Sequence, residues 1–352
     1  MFLKYVTMND MPKSYGTYFL NPNIIAIHWQ PDTFQIGQDP DHAIILPKQN
    51  PNELALLQYF SSSRRPSLNS LKNRAQKQGL ESHWVKNLTQ ALIRKNFLTK
   101  NRSSGTPHAQ TPMLNQLALN PVEASPEAQL RHRKTLKVGL TSLHPLGLQL
   151  AQNLASSQIG TIIVTDESAV SSIDLQNGVW DSEDLGISRR ESLRTKWAKV
   201  FPETKLYRPS QSNADFVFLI HEYFYNPLSA AQLSTQQIPY LNLLETEQKI
   251  FVGPLITNQN DLCLNCLHLP RWLNADLKDV RQVQKAARPQ LSSHVVASAA
   301  GIASTQLLRY LGQSKKSNSS QMVELDPQAP NLGLISHNLS LNPCSCATKL
   351  VL

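Results

Sequence analysis

Residues 136–166 read LKVGLTSLHPLGLQLAQNLASSQIGTIIVTD, and this stretch decides the fold. An apolar run at 136–141 is followed by a helical period at 146–156 and by a second apolar run that ends in Asp166. A strand, a helix and a strand within about 30 residues form a βαβ unit, whose two strands lie parallel in one sheet. The pattern predicts an α/β domain built like a mononucleotide-binding half.

The turn between the first strand and the helix is poor in glycine. Gly139 and Gly147 remain, but Ser142, His144 and Pro145 lie between them. Side chains at such positions keep backbone N–H groups away from phosphate oxygens. The sequence therefore predicts a turn that is not built to hold a nucleotide.

Further strands and helices extend this unit into a larger sheet. The apolar run at 216–220 is typical of a strand buried on both faces. Because helical periods alternate with the strands, we expect helices on both sides of the sheet. The polar segment 312–321 is predicted to be a loop. Strands are predicted at 205–207, 215–220, 240–244 and 249–253, and helices at 190–199, 228–235 and 292–311.

The N-terminal third has a different pattern. Three short β-rich runs between Asn23 and Pro47 are divided by Pro, Asp and Gly, and helical periods follow at 53–60, 67–78 and 82–97. Three strands and then three helices are the outline of a winged-helix-type module. Such a module binds DNA through a recognition helix, or a peptide as a strand added to an exposed sheet edge. The basic end of the last helix suits phosphates and carboxylates equally, and a solvated helix face is a further alternative.

Composition narrows the class of protein. The 352 residues carry a formal net charge of +9, which favours an anionic partner. No apolar run is long enough for a spanning helix, and the first residues do not resemble a signal peptide, so we predict a cytoplasmic protein without membrane contact. Four prolines and many polar residues place a linker at 101–134. The predicted domains are therefore 1–100 and 135–352.

All four cysteines fall in two tight pairs. Cys263 and Cys266 form a Cys-x-x-Cys, and Cys344 and Cys346 form a second pair near the C-terminus. Four thiolates can complete a tetrahedral Zn²⁺ site with no open position, so the predicted metal role is structural. His268 could replace one sulfur ligand. The alternative interpretations are ordinary buried cysteines or a redox pair.

Together these features resemble the ThiF-like, ubiquitin-activating-type adenylyltransferase superfamily. More narrowly, the chain is similar to the bacterial leader-peptide-binding partner proteins of azole- and thioamide-forming YcaO cyclodehydratases. That resemblance covers nearly the whole chain and implies a peptide-recognition winged helix, a ThiF-like domain and a four-cysteine zinc site. The residues that carry it are Asp166, Val170, Asp184-Leu-Gly-x-Ser-Arg-Arg, Gly253-Pro-Leu-Ile, Cys263-Leu-x-Cys-Leu and Asn342-Pro-Cys-Ser-Cys.

The resemblance also assigns positions in the nucleotide site. Adenylating members hold the ATP ribose with an Asp that matches Asp166, and they place an Arg and a Lys on the phosphates. Here the Arg position falls near Asn177 and the Lys position near Arg189, while the metal-binding Asp would lie near His221 or Glu222. Phosphoryl chemistry depends on such placed charges and on Mg²⁺. We therefore expect a non-catalytic relative that does not bind ATP and in which Gly139, Asp166 and Arg189 remain from the nucleotide site.

The leading hypothesis is a non-enzymatic scaffold that binds the leader of a ribosomal precursor peptide and presents it to a YcaO-type enzyme. The leader would add as a strand beside 43–46, against the helix at 82–97, with cationic residues selecting an acidic leader. The predicted peptide-binding residues are Ala43, Ile44, Ile45, Leu46, Val85, Leu88, Leu92, Arg94 and Lys95.

Two alternative functions stay open. One is an active ATP-dependent adenylyltransferase of the ThiF type. The other is a DNA-binding winged-helix regulator, which ranks last because the candidate recognition helix lacks a dense set of Arg, Asn and Gln. A nucleic-acid partner is accordingly not expected, and homodimer formation is left open.

Overall fold

The computed structural model describes residues 18–62, 66–100, 111–117, 119, 125–209, 213–257, 289–312, 321–329 and 334–339. The chain forms two compact units, Met1–Leu130 and Arg131–Leu352. Both cysteine pairs, and with them the predicted zinc site, lie outside the described residues.

Strands precede helices in the N-terminal unit, as the spacing of its turn residues predicts. The second, third and fourth strands form an antiparallel sheet in the order β2-β3-β4, and the first strand pairs with the fifth. That second pairing was not predicted. The elements are β1 (Tyr18–Leu20), β2 (Ala26–Gln30), β3 (Thr33–Ile36), β4 (Ile44–Leu46), α1 (Pro51–Phe60), α2 (Leu68–Lys77), α3 (Ser82–Arg94), β5 (Leu98–Lys100) and α4 (Thr111–Leu117).

Local chemistry fixes the starts of the first two helices. Asn50 and Glu53 form a capping box at α1, in which each side chain accepts a hydrogen bond from the other residue's backbone N–H. Ser67 caps α2, because its side-chain oxygen accepts a hydrogen bond from the Ser70 backbone N–H. The helices then bury their apolar faces in one core with Phe34 and Ile36.

The C-terminal unit is built on an eight-stranded sheet in the order β13-β12-β11-β10-β9-β6-β7-β8. The five strands from β8 to β10 in that order are parallel, and β11, β12 and β13 are antiparallel. The strands are β6 (Lys137–Leu140), β7 (Thr161–Val164), β8 (Lys205–Tyr207), β9 (Phe216–Glu222), β10 (Tyr240–Glu245), β11 (Ile250–Ile256), β12 (Gln321–Leu325) and β13 (Leu334–Asn338). The helices after α4 are α5 (Pro126–Thr135), which contains the boundary between the two units, α6 (Pro145–Ser156), α7 (Arg189–Val200), α8 (Pro227–Thr235) and α9 (Ser293–Gly312).

This arrangement confirms the predicted α/β class. The chain runs from β6 outward to β8 and then returns to β9 on the other side of β6, so the strand order reverses between β6 and β9. Open α/β sheets place ligand sites at such a reversal, outside the carboxyl ends of the strands. Helices α6 and α9 pack together on the main core. Of the predicted loop at 312–321, Gly312 ends α9, Gln321 begins β12, and residues 313–320 lie outside the described residues. Neither β12 nor β13 was predicted.

None of the helices that the structure describes combines the length and apolar character needed to cross a membrane.

Candidate functional site

The reversal of strand order brings Asp166 to the turn that follows β6. Asp166 Oδ2 accepts a hydrogen bond from the backbone N–H of Leu143 at 2.8 Å, and Oδ1 accepts one from Ser168 N–H at 2.8 Å. The Leu143 side chain is fully buried. Both carboxylate oxygens therefore hold backbone groups of this chain, at the place where a nucleotide-binding turn would offer its N–H groups to a ligand.

Arg189, the first residue of α7, closes the same cluster. Its Nη1 lies 3.4 Å from Asp166 Oδ2, while Nε and Nη2 donate to Asp174 Oδ2 at 3.1 and 2.8 Å. The three side chains are 7%, 5% and 1% exposed for Arg189, Asp166 and Asp174. The guanidinium charge is thus matched by two buried carboxylates of the chain itself.

These contacts account for the ionisation of Asp166. Burial alone would raise the pKa of its carboxyl group, but hydrogen bonds from Leu143 and Ser168 and the positive charge of Arg189 hold that pKa below its ordinary value. Asp166 is consequently a carboxylate whose charge stabilises the turn.

The two glycines that remain from the predicted turn both serve packing. Gly139 lies inside β6, where a Cβ would meet Val217 Cγ2 at 2.9 Å. Gly147 lies in the first turn of α6, where a Cβ would come within 1.8 Å of the Ser142 carbonyl oxygen. Gly139 therefore belongs to the strand and not to the turn.

His221 occupies the position at which the resemblance expects a metal-binding Asp. It is buried, its Nδ1 accepts from Asn226 N–H at 3.0 Å, and its Nε2 lies 3.1 Å from Asn242 Oδ1. Both ring nitrogens are therefore engaged, and burial lowers the pKa of the imidazole to about 4. Within the described ranges, no group of three or more His, Cys, Asp or Glu side chains is placed to hold a metal ion.

The N-terminal unit offers a different kind of site at strand β4. In the described part of the chain β4 pairs with β3 alone, so its outer edge has no strand partner. Ile44 faces the core, whereas Ile45 is 56% exposed. Arg94 is exposed at the end of α3, and Lys95 Nζ donates to the Asp41 carbonyl oxygen at 2.9 Å, which places this basic helix end beside the segment that leads into β4.

The predicted peptide-binding residues thus divide into two groups. Ala43, just before β4, and Leu46 are half-buried, and Ile45 is exposed. Ile44 is buried in the same strand. By contrast Val85, Leu88 and Leu92 are 8%, 3% and 0% exposed and belong to the core, so these three α3 side chains support the module from inside.

Sequence reasoning missed Asp174 as the main partner of Arg189. The segment around Asp174 is polar and carries no strand or helix period, so nothing in it indicates a buried acid. The available signal was indirect, because a buried arginine needs a carboxylate partner and Asp174 lies fifteen residues before Arg189.

Solved structures of two named proteins share this fold. The chain matches E. coli MccB with MccA-N7isoASN at a TM-score of 0.71 and 15% identity, covering 94% of this chain and 99% of that chain. E. coli MccB with ATP matches at a TM-score of 0.69, 15% identity and coverage of 94% and 99%. PaaA matches at 0.68 and 15%, with coverage of 90% and 99%. A further structure with this fold is that of the microcin C7 biosynthetic enzyme MccB in complex with N-formylated MccA.

These likenesses show that the chain shares the fold of MccB and PaaA, which fits the Rossmann-like α/β architecture that the sequence resemblance implies. No protein-family profile matches the chain, and no curated protein matches its sequence.

Proposed function

We propose that this chain is a non-catalytic scaffold that binds the leader of a ribosomal precursor peptide and presents it to a YcaO-type modifying enzyme. The observation that carries the proposal is the pairing of Arg189 and Asp166 within the chain's own buried cluster. The fold is that of an adenylating enzyme, but its remaining charges serve the protein's own structure.

The chemistry of adenylyl transfer explains why this matters. Such a reaction needs positive charge on the phosphates and a metal ion that stabilises developing negative charge. Arg189 already faces two carboxylates, so little of its charge is available to a phosphate. His221 is a neutral buried imidazole with both nitrogens engaged, which makes it a poor metal ligand.

The outer edge of β4, which no described strand covers, supports the binding role. An extended peptide can add to such an edge through main-chain hydrogen bonds, and side chains beside the edge select its sequence. Ile45 offers an apolar contact, and Arg94 offers a positive charge that suits an acidic leader. The identity of the partner enzyme comes from the sequence resemblance, and so does the structural zinc.

Peptide titration tests the binding role. The probes are fluorescently labelled synthetic peptides that correspond to the short coding sequences adjacent to this gene. We expect Ile45→Asp to weaken binding by at least about tenfold, since a buried charge at the added strand is costly. Ile25→Asp is the matched control, because Ile25 is 52% exposed and lies before β2, across the sheet from the β4 edge. Equal loss in both variants, or no binding by any such peptide, would contradict the proposal.

An active adenylyltransferase is the second candidate, because MccB, which has this fold, is solved with ATP. Measuring ATP–pyrophosphate exchange by the full chain, with the binding peptide present, separates the two. We expect no exchange above background. Exchange that disappears in Asp166→Ala would establish the enzyme and overturn the scaffold.

A further inference from the structure

A pocket of about 320 Å³ lies in the C-terminal unit where helices α6 and α9 begin. Leu148, Ile173 and Val296 form apolar parts of its wall, and the side-chain amides of Gln149 and Gln176 contribute polar ones. The volume is at the small end of the range for ligand sites. The pocket can therefore take one small molecule or one long side chain.

Two buried polar atoms of this pocket lack a hydrogen bond. The Glu245 and His144 side chains are 2% and 8% exposed, and both residues line the pocket. Glu245 Oε2 and His144 Nδ1 have no hydrogen-bond partner among the described residues, and they lie 3.8 Å apart, too far to bond each other. A buried carboxylate oxygen without a donor is costly to the fold, so this arrangement suits a ligand that supplies donors to Glu245 Oε2 and His144 Nδ1.

The charges around the pocket determine whether that ligand is a cation or an anion. Glu245 and His144 are the only titratable side chains among the described residues that line it. The N-termini of α6 and α9 both attract negative charge, and the Glu245 carboxylate in the same pocket already supplies that charge. At the start of α6, Pro145 has no N–H to offer a further anion. A second anion would face the Glu245 carboxylate, whereas a cation would be paired with it.

We propose that this pocket binds a primary ammonium on an aliphatic stem, the chemistry shared by a lysine side chain and a small alkylamine. An ammonium carries three donors, so one nitrogen can donate to both Glu245 Oε2 and His144 Nδ1. The methylene stem would lie against Leu148 and Val296. This site is separate from the β4 edge of the N-terminal unit and does not depend on the function proposed for it.

Calorimetric titration of the full chain with n-pentylamine tests the proposal, with 1-pentanol as the uncharged probe. We expect saturable binding of the amine, weaker binding of the alcohol, and a loss of at least about tenfold in amine affinity in Glu245→Gln. Glu247→Gln is the matched control, since Glu247 is exposed and lies two residues further on. A parallel titration with Nα-acetyl-lysine methylamide separates the two sources. Tighter binding than pentylamine indicates a lysine of a peptide, and weaker binding indicates a free amine.

Thermal melting without ligand guards against an unfolded variant. Replacing a buried unpaired carboxylate by its neutral isostere should leave the Tm unchanged or raise it. A lower Tm for Glu245→Gln would mean that the carboxylate has a structural partner and would overturn the proposal. Amine binding that is equal in Glu245→Gln and in the unaltered chain, or equal binding of pentanol, would overturn it as well.

Discussion

Several buried polar residues in the C-terminal unit are held in place by hydrogen bonds to neighbouring residues. His221 is fixed through Asn226 and Asn242, and Asn242 in turn donates to the Pro254 carbonyl oxygen at 3.1 Å. Arg189 is fixed in the same way through carboxylates. Buried polar residues whose hydrogen bonds are made by their neighbours contribute to the stability of the fold. The contribution of their charges is therefore measured as a change in the free energy of unfolding.

The pH dependence of stability should report on His221. Its pKa falls from 6.5 in the unfolded chain to about 4 in the folded one, so the unfolded state binds the proton more readily between these values. Stability is complete above pH 6.5 and is lost as the pH falls toward 4. Urea unfolding should show a decrease of about 2 kcal/mol between pH 7 and pH 5.

His221→Gln should remove most of that decrease, whereas His132→Gln, at an exposed position on α5, should keep it. Asp166 affects stability at lower pH than His221. Its pKa in the folded chain is below 3.8, so the stability that its charge contributes is lost only as the pH falls below 3.8. A stability that stays constant from pH 7 to pH 5 would rule out a neutral buried His221.

Loss of the Arg189 guanidinium should be severe. Arg189→Met leaves Asp166 and Asp174 buried without a cation, and breaking such a cluster costs about 3–5 kcal/mol. Arg194→Met, on the same helix at a position 63% exposed, should change the free energy of unfolding by less than about 0.5 kcal/mol. Equal effects of the two substitutions would show that Arg189 carries no buried ion pair.

At the scale of elements, local pattern and distant pairing contribute differently. The strands and helices of the βαβ unit could be predicted because their apolar periods are local, and Asn50 and Ser67 mark helix starts through their own side chains. Strands β1, β5, β12 and β13 were missed because each becomes a strand only through its pairing with another segment. Such pairings leave little trace in the segments themselves.

Gly147 in α6 and Gly301 in α9 should respond in opposite directions to substitution by alanine. In Gly147→Ala the new Cβ meets the Ser142 carbonyl oxygen, so the turn must shift and the protein should lose at least about 2 kcal/mol. In Gly301→Ala no atom of the described residues lies within 4 Å of the new Cβ, and the helix should gain about 0.5–1 kcal/mol. Chemical denaturation measures both, and a neutral Gly147→Ala would mean that α6 does not approach the turn so closely.

For the molecule as a whole, the fold class and the position of Asp166 after a strand could be predicted from the sequence. The contacts that Asp166 makes could not. Asp166 follows a recognisable strand, but its bonds to Leu143 and Arg189 exist only once sheet and helices are assembled. The same holds for the approach of Glu245 to His144, which joins the ends of two elements far apart in the chain.

Metal content is the whole-molecule prediction. The four cysteines lie outside the described residues, and the sequence predicts that they hold a single structural Zn²⁺. Mass spectrometry of the purified chain should find that ion and lose it in Cys266→Ser and in Cys346→Ser. His268→Gln should retain it. If zinc is retained in Cys346→Ser but lost in His268→Gln, the His268 imidazole is a zinc ligand in place of the Cys346 thiolate.

The three-residue length of β4 also bears on solubility. A strand edge that lacks a partner is a template for aggregation, and its hazard grows with its length. Here the strand ends at Leu46 and Pro47 follows, which cannot donate a ladder hydrogen bond. Copies of the chain can therefore stack edge to edge over only a short distance. Extending the edge, as Pro47→Val would, should lower the protein concentration at which the chain precipitates.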